Sequence, residues 1–310
     1  MNQPTVSIIT VNYNETEYTL ELLRSIARNS YRNVEVIVVD NASRTSPRAE
    51  ILAEFPRTLV IESRDNLGFA GGNNLGVAQA GGEYLFFINN DAELTDGCLE
   101  TLVQCFADNP QAGIVSPKLC YFHEADREGK HCLQYTGATP VSAWTARNRI
   151  LGNRQTDRGQ FDGPARETGY AHGAAMMVPR RVVQEVGSMA EDYFLYYEEL
   201  DWCERIRRAD YQVLVAPDAT VFHKESLATG KISSLKMYYL TRNRILFMRR
   251  NFGGLRLLPF AVFFAFVSMP KQILTLVVKR DFVNLGAFIK AVGWHLRPPT
   301  EPTKPQLVNS

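Results

Sequence analysis

Short apolar runs that alternate with helix-like stretches are the feature that most limits how this chain folds. Thr5–Val11, Val34–Val39 and Tyr84–Ile88 have the length and the composition of single strands. Between the first two, Thr16–Arg28 places apolar residues at helical spacing. Such alternation is typical of a mostly parallel sheet that is covered by helices on both faces. The sequence therefore predicts an α/β fold with a central sheet.

Each of these predicted strands ends in a polar cluster. The clusters are Asn12–Asn14, Asp40–Ser43 and Asn89–Glu93. In parallel sheets, ligands bind beyond the carboxyl ends of the strands. The last cluster supplies oxygen ligands that suit Mg²⁺ or Mn²⁺ shared with the phosphates of a substrate. A polar turn without a ligand also explains any single cluster, so the prediction depends on all three together.

A glycine-rich run, Asp65–Gly76, follows the third predicted strand region and leads into a predicted helix through Ala80. Glycines this dense permit positive φ and a close approach of the backbone to a ligand. The run matches neither the dinucleotide-binding pattern G-x-G-x-x-G nor the phosphate-binding P-loop pattern. It predicts either a ligand-binding loop or a loop without a ligand.

Acidic residues are concentrated once more after an aromatic run, between Glu198 and Glu204. The spacing of Trp202, Ile206 and Ala209 predicts a helix that begins near Glu199. Acids in the first turn are stabilised by the helix dipole, and this alone would account for them. Farther on, a strand-like stretch ends at His223, which is a metal-ligand candidate because of that position.

Composition excludes several classes of protein. The chain has 310 residues and a formal net charge of +1, so no basic field predicts nucleic-acid binding. Its five cysteines are odd in number and lack C-x-x-C spacing, which favours reduced thiols in the cytosol. The N-terminus carries no pattern of a cleaved export signal. Residues 123–168 show weak periodicity and are predicted to form a long surface excursion.

The C-terminal part changes character. Leu257–Met269 and Ile273–Val278 are apolar, and Lys271 lies between them. Each run is shorter than the roughly 20 residues that span a bilayer, which favours an in-plane segment anchored by flanking basic residues. A buried helical hairpin is the alternative. We therefore divide the chain into residues 1–232, a helical membrane-associating region 233–296 and a disordered tail 297–310.

Taken together, the ordered motifs resemble those of the family-2 glycosyltransferases, which have the GT-A fold and invert anomeric configuration. The resemblance covers Val6 to His223 and is closest to bacterial rhamnosyltransferases. It is carried by several motifs in order: Val11–Asn14, Val38–Ser43, Asn66–Asn73, Asn89–Asp91, Gly173–Ala174 and Tyr197–Asp201.

The resemblance also implies roles for particular residues. Asp91 and His223 would hold Mg²⁺ or Mn²⁺, although Asn89 replaces the first acid of the family's metal motif and Glu93 is a possible substitute. Glu199 would be the general base, with Glu198 and Asp201 as rivals. The nucleotide pocket would be formed by Thr10, Asn12, Asp40, Asn66, Gly68, Asn73 and Asn90.

The implied activity is transfer of a sugar, with L-rhamnose from dTDP-rhamnose as the first choice. The acceptor would be a glycan or a polyprenyl-linked glycan, used at the inner face of the cell membrane by a cytoplasmic, peripheral protein, for which a homo-oligomer is one option. The alternatives are a UDP-sugar-dependent enzyme of the same family and a non-catalytic nucleotide-sugar-binding membrane protein. A nucleotidyltransferase is disfavoured because Asn12–Glu15 lacks glycine.

Overall fold

The computed structural model describes residues 3–125, 129–224 and 233–296, without the side chains of 123–125. The predicted boundary at 232–233 borders undescribed residues, and the predicted disordered tail 297–310 lies outside the described ones. The described residues fall into two compact units. The first comprises the described residues of 3–142, 147–191 and 198–224, and the second comprises those of 143–146, 192–197 and 233–296.

The first unit is built around one sheet of ten strands. Its strands are β1 (Val6–Asn12), β2 (Val34–Asp40), β3 (Leu59–Glu62), β4 (Tyr84–Ile88), β5 (Ala92–Leu94), β6 (Ala112–Ala125), β7 (His131–Tyr135), β8 (Arg166–Glu167), β9 (Ala175–Pro179) and β10 (Gln212–His223). Its helices are α1 (Thr16–Arg28), α2 (Arg48–Glu54), α3 (Gly68–Gln79), α4 (Cys98–Asp108), α5 (Arg180–Val186) and α6 (Glu198–Arg208).

The strand order is β3-β2-β1-β4-β9-β6-β10-β5, with β7 paired to β6 and β8 to β10. The pairs β2–β3, β1–β2, β1–β4 and β6–β10 are parallel. Asn12 is the register partner of Asp40, so β1 and β2 end side by side. Ile88 of β4 pairs with Ala175, and His223 of β10 pairs with Ala92. This register places the polar strand ends at one edge of the sheet.

The core lies on both faces of the sheet. Residues Ile8, Ile37 and Phe86 of the central strands are 0% exposed, because helices cover both sides of them. The prediction of a surface excursion over 123–168 is wrong for β7, whose Leu133 and Tyr135 are also fully buried. The weak periodicity arises because this strand is buried throughout its second half and so does not alternate.

The second unit contains the C-terminal helices α7 (Ser234–Asn251), α8 (Leu258–Phe263), α9 (Met269–Val278) and α10 (Phe282–Trp294). Helical backbone continues from α8 through a π-helical turn at Phe264–Ser268 into α9, across Pro270. The whole segment Gly254–Val278, of 25 residues, is long and apolar enough to cross a membrane by length and composition. Many of its apolar side chains are exposed, among them Leu255, Phe266 and Leu274.

Candidate active site

The ends of β1 and β2 are joined by a set of hydrogen bonds that we call the Asp40 cluster (Asn12, Asp40 and Ser43). Asn12 Nδ2 donates to Asp40 Oδ1 at 2.9 Å and to Ser43 Oγ at 3.1 Å. Ser43 donates its hydroxyl proton to Asp40 Oδ1 at 2.5 Å. Asn12 and Asp40 are buried. Their polar atoms therefore satisfy one another and fix the two strand ends in place.

The glycine-rich run forms the first turns of α3 rather than a separate loop. Asn41 holds its start, since Asn41 Nδ2 donates to Gly68 O and Leu67 N donates to Asn41 Oδ1. Asn66 Oδ1 accepts from Gly68 N at 2.9 Å, and Gly68 has a φ of 71°, which favours glycine. The start of α3 is thus tied to the end of β2.

The later glycines of this run serve packing. A Cβ atom at Gly76 would lie 2.4 Å from Ile9 Cγ2, and one at Gly72 would lie 2.9 Å from Val11 Cγ1. These positions allow α3 to lie directly on β1. Asn73 is buried in the same helix, and its side-chain amide donates to Phe69 O within that helix. The structure therefore does not group Asn73 with the polar residues at the strand ends.

A chain of hydrogen bonds leads from the Asp40 cluster to the end of β4. Thr19 donates its hydroxyl proton to Asn12 Oδ1 at 2.9 Å, and Asn90 Nδ2 donates to Thr19 Oγ1 at 3.2 Å. Thr10 lies inside β1, and its buried hydroxyl has no partner among the described residues. The structure therefore groups Asn12, Asp40 and Asn90, whereas Thr10 stands within the sheet.

Asp91, His223 and Asn89 form a second group, the Asp91 cluster. His223 Nε2 lies 3.1 Å from Asp91 Oδ1 and 3.3 Å from Asn89 Nδ2. The His223 side chain is 5% exposed, and that of Asp91 is 31% exposed. Burial would raise the pKa of Asp91, but the hydrogen bond and charge of His223, together with the charge of Lys224, hold it below its usual value.

Glu93 does not take the place of the missing acid. Its Oε1 lies 2.7 Å from Lys224 Nζ, which also pairs with Glu21. The Glu93 carboxylate is therefore neutralised by a buried lysine instead of facing Asp91. Among the described residues, no group of three His, Cys, Asp or Glu side chains has the arrangement of a metal site.

The three acids of α6 differ in their surroundings. Glu198 and Asp201 are each 3% exposed, whereas Glu199 is partly exposed. Asp201 Oδ2 accepts from Arg205 Nε at 3.0 Å. Arg205 also donates to Val186 O and Ser188 O, at and just after the end of α5. By holding Arg205, Asp201 helps to fix this turn of the chain.

Glu199 lies against the start of β9. A Cβ atom built at Gly173 would be 3.8 Å from Glu199 Cγ. The neighbouring Ala174 O accepts from Asn89 N at 2.9 Å, which connects this position to the Asp91 cluster. Burial raises the pKa of Tyr170 well above its usual value, and the charge of Glu199 also contributes.

Two residues beside His223 were missed by the sequence reasoning. Gln134 of β7 places Oε1 3.0 Å from His223 Nδ1. The His172 ring centroid is 6.5 Å from that of His223, and burial lowers the pKa of His172 to about 3. Gln134 lies in the stretch predicted to be a surface excursion, and only its assignment to a buried strand would have indicated it.

Comparisons with known proteins identify the family and the fold. The sequence model of the family described as Glycosyl transferase family 2 matches residues 7–187, more than half of the chain. The chain is 26% identical over 295 residues to the dTDP-rhamnosyl transferase RfbF of Shigella flexneri, covering 92% of this chain and 93% of that protein.

It is also 22% identical over 246 residues to the N-acetylglucosaminyl-diphospho-decaprenol L-rhamnosyltransferase of Mycobacterium tuberculosis, covering 72% of this chain and 77% of that one. Among solved structures, it resembles the mannosyltransferase PcManGT from Pyrobaculum calidifontis in complex with GDP-Man and Mn²⁺. The TM-score is 0.56 at 18% identity, with 96% of this chain and 88% of that chain covered. The GT-A fold expected from the sequence is confirmed.

Proposed function

This chain belongs to glycosyl transferase family 2, and we propose that it transfers L-rhamnose from dTDP-rhamnose to a hydroxyl group of a lipid-linked or cell-surface glycan. The donor is suggested by the likeness to a dTDP-rhamnosyl transferase, and the lipid-linked acceptor by the likeness to the decaprenol-linked rhamnosyltransferase. The observation that carries the proposal is the hydrogen-bond chain Asp40–Asn12–Thr19–Asn90, which ends beside Asp91. It joins the donor-binding strand ends to the acid proposed to act on the diphosphate.

In this proposal the Asp40 cluster forms the base of the nucleoside pocket. Its side chains are already oriented by one another, so little conformational entropy is lost when the nucleoside binds. Asn66, Gly68 and Asn41 tie the start of α3 to the same place. Thr10 and Asn73 would support this pocket from within the sheet and the helix.

The Asp91 cluster fits Mg²⁺ or Mn²⁺ held by few protein ligands. Asp91 offers a carboxylate and His223 an imidazole nitrogen at 3.1 Å from it, while Asn89 Nδ2 lies 3.3 Å from the same nitrogen. Donors of this kind suit a divalent cation that shares its coordination with substrate phosphates. When bound, such a cation stabilises the negative charge that develops on the leaving diphosphate.

Glu199 is the residue that we propose as the general base. It is more accessible than Glu198 and Asp201, and it is linked through Gly173 and Ala174 to Asn89. A carboxylate at this place accepts the proton of the acceptor hydroxyl as that oxygen attacks the sugar. One base without a covalent intermediate gives a single displacement, which inverts the anomeric configuration.

The second unit is proposed to bind the membrane surface in an in-plane orientation on the cytoplasmic leaflet. Its apolar segment Gly254–Val278 is long enough to cross a membrane, but Lys271 lies within it, and a charge buried in the bilayer is costly. Leu255, Phe266 and Leu274 are 89%, 78% and 64% exposed, which is costly in water and favourable in the acyl region. Arg249 and Arg250 precede this apolar surface. Basic residues close to anionic headgroups contribute about 1 kcal/mol each.

The decisive experiment is product analysis after incubation with a panel of dTDP- and UDP-sugars and a polyprenyl-diphosphate-linked acceptor. We expect a rhamnosylated lipid product with inverted configuration from dTDP-rhamnose. Turnover of a UDP-sugar alone would support the other donor class. Nucleotide-sugar binding without turnover of any donor would favour a non-catalytic protein.

Membrane binding is tested separately by flotation with anionic liposomes. The full-length chain should float at moderate salt, and truncation before Leu235 should leave the protein in the soluble fraction. Recovery of the full-length chain in the soluble fraction would contradict membrane association.

A further inference from the structure

Gln134 is buried in the sheet behind the Asp91 cluster. It lies on β7 and is 2% exposed, and β6 separates β7 from β10, which carries His223. The Gln134 side chain places Oε1 3.0 Å from His223 Nδ1. Its main chain is held as well, because Asn153 Nδ2 donates to Gln134 O at 3.0 Å. Gln134 therefore contacts His223 on the side of the ring that faces away from Asp91.

This contact favours a proton on one particular ring nitrogen of His223. An amide oxygen only accepts hydrogen bonds, so Nδ1 is the donor when Gln134 Oε1 faces it. In a neutral imidazole the other nitrogen, Nε2, then carries an unprotonated lone pair. Asn89 agrees with this, because its Nδ2 is a donor and lies 3.3 Å from Nε2.

The same assignment makes the Asp91 contact unusual. With the proton on Nδ1, the Nε2 lone pair and the Asp91 Oδ1 face each other at 3.1 Å, and both are acceptors. Two acceptors at this distance repel unless a cation lies between them or a second proton on Nε2 makes His223 an imidazolium paired with Asp91. Histidines that ligate metals typically donate their other N–H to a hydrogen-bond acceptor, which fixes the tautomer and the ring orientation.

We propose that Gln134 is a positioning residue that fixes His223 as the Nδ1–H tautomer and so keeps Nε2 available for a divalent cation beside Asp91. The inference rests on the proposed function, because it concerns the same cation site. It assigns a role to a residue in a strand outside the ordered motifs that identify the family.

The tautomer is measured directly by nitrogen NMR of the full-length protein labelled with ¹⁵N-histidine, at a pH where the imidazole is neutral. A His223→Asn variant assigns the signal. His172 is an internal reference for the opposite tautomer, since its Nδ1 accepts from Ala174 N. We expect the Nδ1–H tautomer for His223 in the wild-type protein. Because this measurement is made on the wild type, it does not depend on whether a variant folds.

Variants at position 134 then connect the tautomer to cation binding, followed as the loss of the free Mn²⁺ signal in electron paramagnetic resonance. Gln134→Leu removes the acceptor, so His223 should move its proton to Nε2, towards Asp91, and Mn²⁺ affinity should fall about 10–100-fold. Gln134→Glu keeps an acceptor oxygen and should keep both the tautomer and the affinity. Asn153→Ala is the control, because it removes bonds to the main-chain oxygen of Gln134 and to the Tyr121 hydroxyl but leaves the Gln134 side chain in place.

The outcomes separate this inference from the proposed function. An Nε2–H tautomer in a wild-type protein that binds Mn²⁺ would overturn the inference alone. Unchanged Mn²⁺ affinity in a folded Gln134→Leu variant would do the same. A wild-type protein that fails to bind Mn²⁺, alone or with dTDP, would overturn the cation site itself and the inference with it, while leaving sugar transfer to be judged by product analysis.

Discussion

The Asp40 cluster and the Asp91 cluster lie at the same edge of one sheet, yet their polar atoms are used differently. In the Asp40 cluster every bond named above joins a donor to an acceptor, with Asn12 and Ser43 both donating to Asp40. In the Asp91 cluster an imidazole nitrogen and a carboxylate oxygen face each other at 3.1 Å. The first arrangement is complete as a structural element, and we propose that a cation completes the second.

This difference predicts that the two clusters have different roles, one in the stability of the fold and the other in the reaction. Substitutions in and around the Asp40 cluster should mainly reduce the free energy of unfolding, because they remove bonds or packing that the folded chain already has. Substitutions in the Asp91 cluster and at Glu199 should mainly reduce turnover. The predictions below test this division, from the largest expected effect to the smallest.

Asp91→Ala should lower the rate of transfer by about 10³-fold or more, because a cation contributes several kcal/mol to charge stabilisation and each 1.4 kcal/mol is about tenfold in rate. EDTA should inhibit the wild-type enzyme to a similar extent. Glu93→Gln is the matched control, since Glu93 pairs with Lys224 and should affect stability more than turnover. Full activity in EDTA would refute the cation site.

Glu199→Gln should lower kcat by about 10²-fold or more, because the amide keeps the size of the side chain but cannot accept a proton. Binding of dTDP, measured by calorimetry, should be unchanged. Asp201→Asn should instead lower the melting temperature, since Asp201 holds Arg205. If Asp201→Asn is inactive and Glu199→Gln is active, the base is Asp201.

Gly76→Ala should lower the free energy of unfolding by about 1–3 kcal/mol, the usual cost of overpacking. The added Cβ atom would lie 2.4 Å from Ile9 Cγ2 and would push α3 away from β1. Gly286→Ala in α10 is the control, because nothing lies within 4 Å of its added Cβ atom. Urea denaturation measures both, and equal stability of the two variants would contradict the packing role of Gly76.

Ser43→Ala should have the smallest effect, a loss of about 1 kcal/mol in the free energy of unfolding with little change in the donor KM. The Ser43 hydroxyl donates to Asp40 Oδ1 and accepts from Asn12 Nδ2 and from Asn14 N, the latter at 2.8 Å. Ser46→Ala, which removes a hydroxyl bound to exposed Glu62, should be close to neutral. A large rise in KM without loss of stability would show that Ser43 contacts the nucleotide.

The sequence alone determined the fold class and the places where the chemistry is grouped. Hydrophobic periodicity is a local property, so α1 was predicted with the bounds that the structure gives, Thr16–Arg28. Polar clusters after strands predicted Asn12, Asp40 and Asp91 at one edge, because parallel strands end on the same side. The strand-end position and the family resemblance both indicated His223, which the structure places beside Asp91.

Tertiary structure alone decided which polar and small residues play which part. Gly76 packs against Ile9, Glu93 forms an ion pair with Lys224, and Gln134 contacts the ring of His223. Each partner is distant in the sequence. The surroundings of the acids of α6 also depend on tertiary structure, since a bond to Arg205 and burial distinguish Asp201 from Glu199. A pattern along the chain records which side chains are polar, whereas their pairing depends on strand register and helix packing, which bring distant residues within hydrogen-bond distance.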